Sequence, residues 1–144
     1  MPQTVKSMLD AKGRNVVSVS RDQTLSEVAT ILNDKHIGAV VVTSLEGRIA
    51  GIFTERDLVR AVAGGGAAVL EKPVSSSMTT NVTHCREDNT DDELMEMMTA
   101  GRFRHVPVEV DGVLVGIISI GDVVKSRISE IEHEAEQIKA YIAG

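Results

Sequence analysis

VVSVSRDQTLSEVATILNDKHIGAVVVTSLEGRIAGIFTERDLV, residues 16–59, returns at residues 82–124 as VTHCREDNTDDELMEMMTAGRFRHVPVEVDGVLVGIISIGDVV. Thr24 falls on Thr90 at a spacing of 66 residues. Gly47, Gly51, Thr54 and Asp57 fall on Gly112, Gly116, Ser119 and Asp122 at a spacing of 65. The second copy has lost one residue from the loop between its strands, where a change of length costs little.

Each copy predicts the same run of elements. A short β-rich piece, 16–19 or 82–85, leads into a polar turn and then Thr-x-x-Glu, at Thr24 with Glu27 and at Thr90 with Glu93. That spacing is a capping box: the hydroxyl takes a free N–H of the first turn and the glutamate reaches back to the cap. Val28, Ile31 and Leu32 then form one helical apolar stripe, and Leu94, Met97 and Met98 the other. The methionines at 95, 97 and 98 read as core. Residues 37–42 and 48–53, matched by 103–108 and 113–119, read as hairpins turning at Gly47 and Gly112. A second helix starts near Glu55 and near Gly121. Strand, helix, strand, strand, helix cannot cover both faces of its sheet alone, whereas two such copies packed together can.

Outside the copies, Gly64, Gly65, Gly66 and Pro73 mark a join. Val5 and Leu9 before the first copy echo Val74 and Met78 before the second, so each lead-in is expected to pack on its own copy. Val124, Ile128, Ile131, Ala135, Ile138 and Tyr141 or Ile142 continue a three-and-four stripe past the second copy, for which a second subunit is the expected cover. The chain thus divides into a first unit at 1–63, a linker at 64–73, a second unit at 74–127 and an amphipathic extension at 128–144.

Of the 144 residues, 42% are apolar, 25% charged and only 2% aromatic, with a net charge of −6. The core must be aliphatic, and no aromatic platform exists for stacking successive bases. A net-acidic chain is also poorly matched to holding nucleic acid through its phosphates. One cysteine, Cys85, cannot form an internal disulfide, which points to a reducing compartment. No apolar run reaches membrane-spanning length and no secretory leader is present. The expectation is a soluble cytoplasmic protein with neither nucleic-acid nor membrane partners.

Catalysis finds little support. His36, His84, His105 and His133 share no metal-ligand spacing with Cys85 or a carboxylate cluster, and His84 and Cys85 alternate across a strand. There is no nucleophile elbow, phosphate loop or dinucleotide fingerprint. What stands out is Gly-x-x-Thr/Ser-x-x-Asp, GIFTERD at 51–57 and GIISIGD at 116–122. Its glycine lets another backbone approach, and its hydroxyl can cap the following helix or bond a ligand oxygen. Its carboxylate can complement the helix N-terminus or accept both hydroxyls of a ribose.

With this doubled motif, and with Arg104-His105-Val106-Pro107-Val108, the sequence resembles a tandem pair of CBS domains, named after cystathionine β-synthase. Such a pair forms one Bateman module, here free-standing, and the resemblance covers roughly residues 4–127. It implies an α/β (α+β) fold of two β-α-β-β-α units packed about a pseudo-twofold, with an extended C-terminal helix here. It further implies clefts for adenosine-containing ligands such as AMP, ATP, NAD or S-adenosylmethionine. By resemblance, Asp57 and Asp122 hold ribose hydroxyls, Thr54 and Ser119 reach ribose or phosphate, and the backbone around Val17 and Thr83 meets adenine. The family's basic stretch before the hairpin, of His-Arg-x-Pro-Val type, matches Arg104 and His105 in reversed order and assigns them to phosphate. The first copy has Gly38 and Ala39 there, so unequal clefts are expected; Lys12, Arg14 and Arg56 are further basic candidates. The resemblance implies a regulatory protein with no catalytic residues, metal or catalytic cofactor. Its ligand state would pass to a separate effector protein or to its own homodimer. The alternative is an interaction or scaffold module with vestigial clefts, favoured by the less basic first copy and the long terminal helix.

Overall fold

The computed structural model describes residues 2–143. In chain order it runs α1 (Val5–Lys12), β1 (Ser18–Val19), α2 (Leu25–Lys35), β2 (Ala39–Thr43), β3 (Ile49–Thr54), α3 (Glu55–Gly65), two short 3-10 turns (Gly66–Glu71 and Val74–Ser76), α4 (Asp91–Gly101), β4 (His105–Val110), β5 (Val113–Ser119) and α5 (Ile120–Ala143). The residues gather into two compact units. One comprises 15–83 with 110–115, the other 2–14 with 84–109 and 116–143.

In the unit built on the first copy, β1 pairs parallel with β2, and β2 antiparallel with β3, from Ala39↔Thr54 to Thr43↔Ile49. The hairpin turns at Gly47, whose φ of 77° lies in the left-handed region that glycine enters without strain. The capping box forms as the spacing predicts, with Thr24 Oγ1 accepting from Glu27 N at 3.1 Å. Helix α2 ends on His36 in the left-handed conformation, and the N–H of Ile37 turns back to Leu32 O at 3.1 Å. Ile37 therefore closes a helix rather than opening a strand, and β2 begins two residues later than the apolar run suggests. Val19, Leu25, Val28, Leu32, Val40, Val42, Phe53 and Val74 form the core.

Val74 is the exception to the expected grouping. It precedes the second copy, yet its N–H bonds Gln23 O at 2.7 Å and its side chain is fully buried in the first copy's core. Burying a valine this way contributes about 1.5–3 kcal/mol relative to exposure. Thr79 follows it onto the edge of β3, exchanging both backbone bonds with Ile52 at 3.0 and 2.9 Å. The stretch 64–73 is ordered too: Val69 and Leu70 pack against this core, and Lys72 O accepts from Leu25 N.

The unit built on the second copy repeats the exchange. Val5 N bonds Asn89 O at 2.8 Å, Lys6 N bonds Glu87 O at 3.0 Å, and Val5 and Leu9 are fully buried. The expectation that each lead-in packs on its own copy is therefore corrected: each seats on the other one. The echo in sequence marks equivalent positions without saying which partner they meet. Strands β4 and β5 form a two-stranded sheet, and Cys85 adds a single parallel bridge to Val108. The second copy has Pro107 where the first has Val41. Val41 N donates to Val17 O at 3.2 Å, but Pro107 has no N–H to give Thr83, so 82–85 makes no strand.

Helix α5 is held to α4 by polar contacts in a buried setting. Asp91 is fully buried and accepts from Ser126 Oγ at 2.7 Å, while Gln3 N donates to Glu130 Oε1 at 2.6 Å. Burial pushes both carboxyls up; for Asp91, hydrogen bonds from Glu130, Ser126 and Asp92 outweigh it and hold the group below its ordinary value. Glu130, buried beside that charge, is held above its own.

Two glycines seat the lead-ins. A methyl group on Gly116 would meet Leu9 Cδ2 at 2.8 Å and Cδ1 at 2.9 Å; on Gly51 it would meet Met78 Sδ at 2.7 Å and Thr79 O at 2.9 Å. Leu9 is a side-chain end that can rotate, whereas Thr79 O is backbone fixed by two hydrogen bonds. Gly116→Ala is expected to cost about 1 kcal/mol and Gly51→Ala about 2–3 kcal/mol in urea denaturation. Equal costs would contradict this account of the two seats.

Candidate functional site

Each Gly-x-x-Thr/Ser-x-x-Asp motif occupies the end of a strand and the first turn of a helix. Its glycine seats a lead-in. Its hydroxyl and carboxylate form a second capping box. Thr54 Oγ1 accepts from Asp57 N at 3.2 Å, and Asp57 Oδ2 accepts from Thr54 N at 3.0 Å and Thr54 Oγ1 at 3.1 Å. Ser119 and Asp122 match this, with Asp122 Oδ2 accepting from Ser119 N at 2.8 Å and Ser119 Oγ at 3.0 Å. The contacts to each carboxylate fall on Oδ2, which leaves the Oδ1 atoms outside the caps. The four residues are half-buried. A carboxylate at this place complements the helix N-terminus.

Backbone bonds bring the basic stretch to the same turn. Ile120 N donates to Arg104 O at 2.8 Å, and in the first copy Glu55 N donates to Gly38 O at 3.0 Å. Position 104 thus lies at the start of α5, as position 38 lies at the start of α3. Arg104 is exposed and has no ion-pair partner among the described residues. His105 is half-buried in β4. Val17 is half-buried with its carbonyl engaged by Val41, whereas Thr83 is exposed and receives no such bond.

The two copies differ most at a residue the motif does not contain. Lys12, the last residue of α1, donates from Nζ to Asp122 Oδ2 at 2.6 Å and to Ile117 O at 2.9 Å. Burial pushes the Asp122 carboxyl up, but the hydrogen bond from Lys12, those from Ser119 and the lysine's charge hold it below its ordinary value. No cation pairs with Asp57 among the described residues. Spacing could not reveal the contact, because residues 12 and 122 meet only through the exchanged lead-in. Arg14 is spent elsewhere, on Asp10 at 2.5 Å and Glu87 at 3.2 Å. Arg56 is exposed.

Neither cysteine nor histidine chemistry gathers here. Burial pushes the Cys85 thiol up to about 12, so it is no nucleophile at neutral pH. His84 faces Glu109, with Nε2 2.9 Å from Oε1. Among the described residues no group of three or more His, Cys, Asp or Glu could hold a metal ion. Among the described residues no helix is long and apolar enough to cross a membrane.

The depressed Asp122 carboxyl links stability to pH. Its contribution is complete above the ordinary carboxylate value of about 3.9 and is lost as pH falls through the lower folded-state value. Lys12→Met is expected to lower stability at pH 7 by a few tenths to about 1 kcal/mol, since the pair is partly solvated. Denaturant midpoints of wild type and variant should then converge in strong acid; a gap independent of pH would contradict the ion-pair origin.

Comparison with known proteins follows this geometry. The CBS domain family model matches residues 10–64 and 74–129. The chain is 30% identical, over 98% of its length and 72% of the relative's, to the mitochondrial CBS domain-containing protein CBSX3 of Arabidopsis thaliana. Among solved structures, a CBS-domain containing protein from Agrobacterium tumefaciens is 60% identical with a TM-score of 0.84, covering 87% of this chain and 99% of that one. The CBS domain pair of the protein MJ0100, solved in complex with 5′-methylthioadenosine and S-adenosyl-L-methionine, is 26% identical with a TM-score of 0.77, over 85% and 98% of the two chains. CBS domains are regulatory modules rather than enzymes. With both copies of the repeat matched by the family, this chain belongs to the CBS domain proteins and carries a tandem pair.

Proposed function

We propose that the chain is a cytoplasmic regulatory module that binds an adenine nucleotide of the AMP, ATP or NAD type and passes its ligand state to a separate partner or to its own homodimer. The observation that carries this is the pair of half-buried carboxylates, Asp57 and Asp122, each at a helix N-terminus with Oδ1 outside the cap. A vicinal diol supplies two O–H donors, and Oδ1 can accept from them without breaking the cap. Thr54 and Ser119 stand beside each carboxylate for a ribose or phosphate oxygen. The backbone at Val17 and Thr83 meets adenine, with the Thr83 carbonyl lacking the ladder bond that Val17 makes. Arg104 and His105 take phosphate. The relation to MJ0100, itself solved with adenosine-containing ligands, supports the ligand class.

Binding of this kind needs no bond-making. A ligand held only by the folded protein stabilises it by about 2.7 kcal/mol at a hundredfold excess over Kd. Where two conformations exist, it shifts them by its difference in affinity. Mass spectrometry of a denatured extract, with thermal-shift titration, is expected to find an adenosine compound or a rise in Tm with one adenine nucleotide over guanine controls. Asp57→Ala or Asp122→Ala should remove most of that rise. No retained ligand and no shift with any adenosine compound would overturn the assignment.

The exposed stripe on α5 favours the partner or homodimer as the output. Beyond Arg127 the helix presents Ile128, Ile131, Ile138, Tyr141 and Ile142, all at least half exposed, with Tyr141 at 88%. A second copy covering this stripe makes the protein a dimer. Ile131→Glu combined with Ile138→Glu spares Glu130 and its bond to Gln3, and is expected to yield a monomer by light scattering. An unchanged mass would place the contact elsewhere.

A further inference from the structure

The capping carboxylates are alike in both copies, but their electrostatic surroundings are not. Asp122 is matched by Lys12 at 2.6 Å, so its charge is compensated within its own unit. Asp57 has no such partner among the described residues. The lead-in that seats on Gly51 is not helical at Met78 and Thr79 and instead pairs Thr79 with Ile52 along the edge of β3. The first copy also has Gly38 where the second has Arg104. At Asp57 an anionic ligand group thus meets a carboxylate with no paired cation among the described residues. At Asp122 it meets a balanced ion pair and an unpaired guanidinium.

Lys12 is also held in a productive geometry. An ammonium has three N–H donors. Two are fixed, one on Asp122 Oδ2 and one on Ile117 O, and α1 is anchored through buried Val5 and Leu9. The third remains for a ligand, and the side chain is 34% exposed, enough to be reached without leaving its partners. A lysine pinned in this way loses little further freedom on binding.

We propose that Lys12 is a ligand-contacting, specificity-determining residue of the Asp122 half-site, using its remaining N–H on an anionic group and thereby selecting phosphorylated adenosine ligands over uncharged or cationic ones. This rests on the adenine-nucleotide function proposed above. It assigns phosphorylated ligands to the second copy and leaves the Asp57 half-site to adenosine compounds without an anionic tail. A sulfonium such as S-adenosylmethionine, carrying positive charge towards Lys12 and Arg104, is disfavoured at Asp122.

The test is calorimetric titration of the full chain with AMP, ATP, adenosine and S-adenosylmethionine, for wild type, Lys12→Met and Lys12→Arg. Wild type is expected to hold AMP or ATP at least tenfold more tightly than adenosine. Lys12→Met should weaken AMP and ATP about tenfold while changing adenosine less than twofold, and Lys12→Arg should retain most of the phosphate preference. Equal weakening of AMP and adenosine in Lys12→Met would reduce Lys12 to a prop for Asp122 and overturn the proposal. So would unchanged or tighter AMP binding, or a wild type that prefers adenosine or S-adenosylmethionine. A wild type that binds none of the four compounds would fail the nucleotide function itself, a result distinct from loss of selectivity in the variant. Circular dichroism melts of both variants separate loss of the fold from loss of the contact.

Discussion

The architecture of each unit depends on the close approach of a lead-in to Gly51 or Gly116, against fixed backbone at Gly51 and a movable leucine at Gly116. A lead-in segment lies so close to the last strand of the hairpin that a side chain would collide with Met78 and Thr79 in one unit and Leu9 in the other. Once seated, the lead-in fills the core with Val74 or with Val5 and Leu9, and closes the turn before the first helix through Gln23 or Asn89. Three residues further along, the hydroxyl of Thr54 or Ser119 ends the strand and opens the next helix. Strand end, helix start and lead-in are thus fixed by one short motif.

The same motif has a complete structural account before any ligand is considered. Glycine makes space, the hydroxyl caps, and the aspartate returns the cap. What a ligand can use is the remainder: one carboxylate oxygen in each copy and whatever charge stands near it. Function in such a module is a surplus on structure, and the surplus is unequal. The second copy has Arg104, Pro107 and the ion pair to Lys12 where the first has Gly38, Val41 and, among the described residues, no paired cation. Duplication kept the caps in both copies while these surroundings diverged.

Much of this was legible in the sequence, because it is local. The repeat, the Thr24 and Thr90 capping boxes and the starts of α3 and α5 all depend on residues three or four apart. The parts that were not legible depend on distance or on an unannounced conformation. His36 and Arg102 end their helices in left-handed geometry without a glycine to signal it, so both hairpins begin later than their apolar runs. Residues 82–85 have the composition of a strand, but Pro107 withholds a donor from across the sheet. The exchange of lead-ins could not be read from equivalence alone, and Lys12 could not be matched to Asp122 until that exchange was known.

The seating of α1 also has a kinetic consequence. Its contacts lie with Asn89, Gly116, Asp122 and Glu130, and the bond from Gln3 to Glu130 spans 127 positions. Helix α1, made before every segment it docks on, therefore waits for α5 before it finds its place. Contacts of such long sequence separation must close large loops before they return any stabilisation, which slows the step that forms them. The first copy needs only Val74 and Thr79 to complete its lead-in, whereas the second cannot close its own until α5 has been made. For α1, the order of synthesis and the order of docking run in opposite directions.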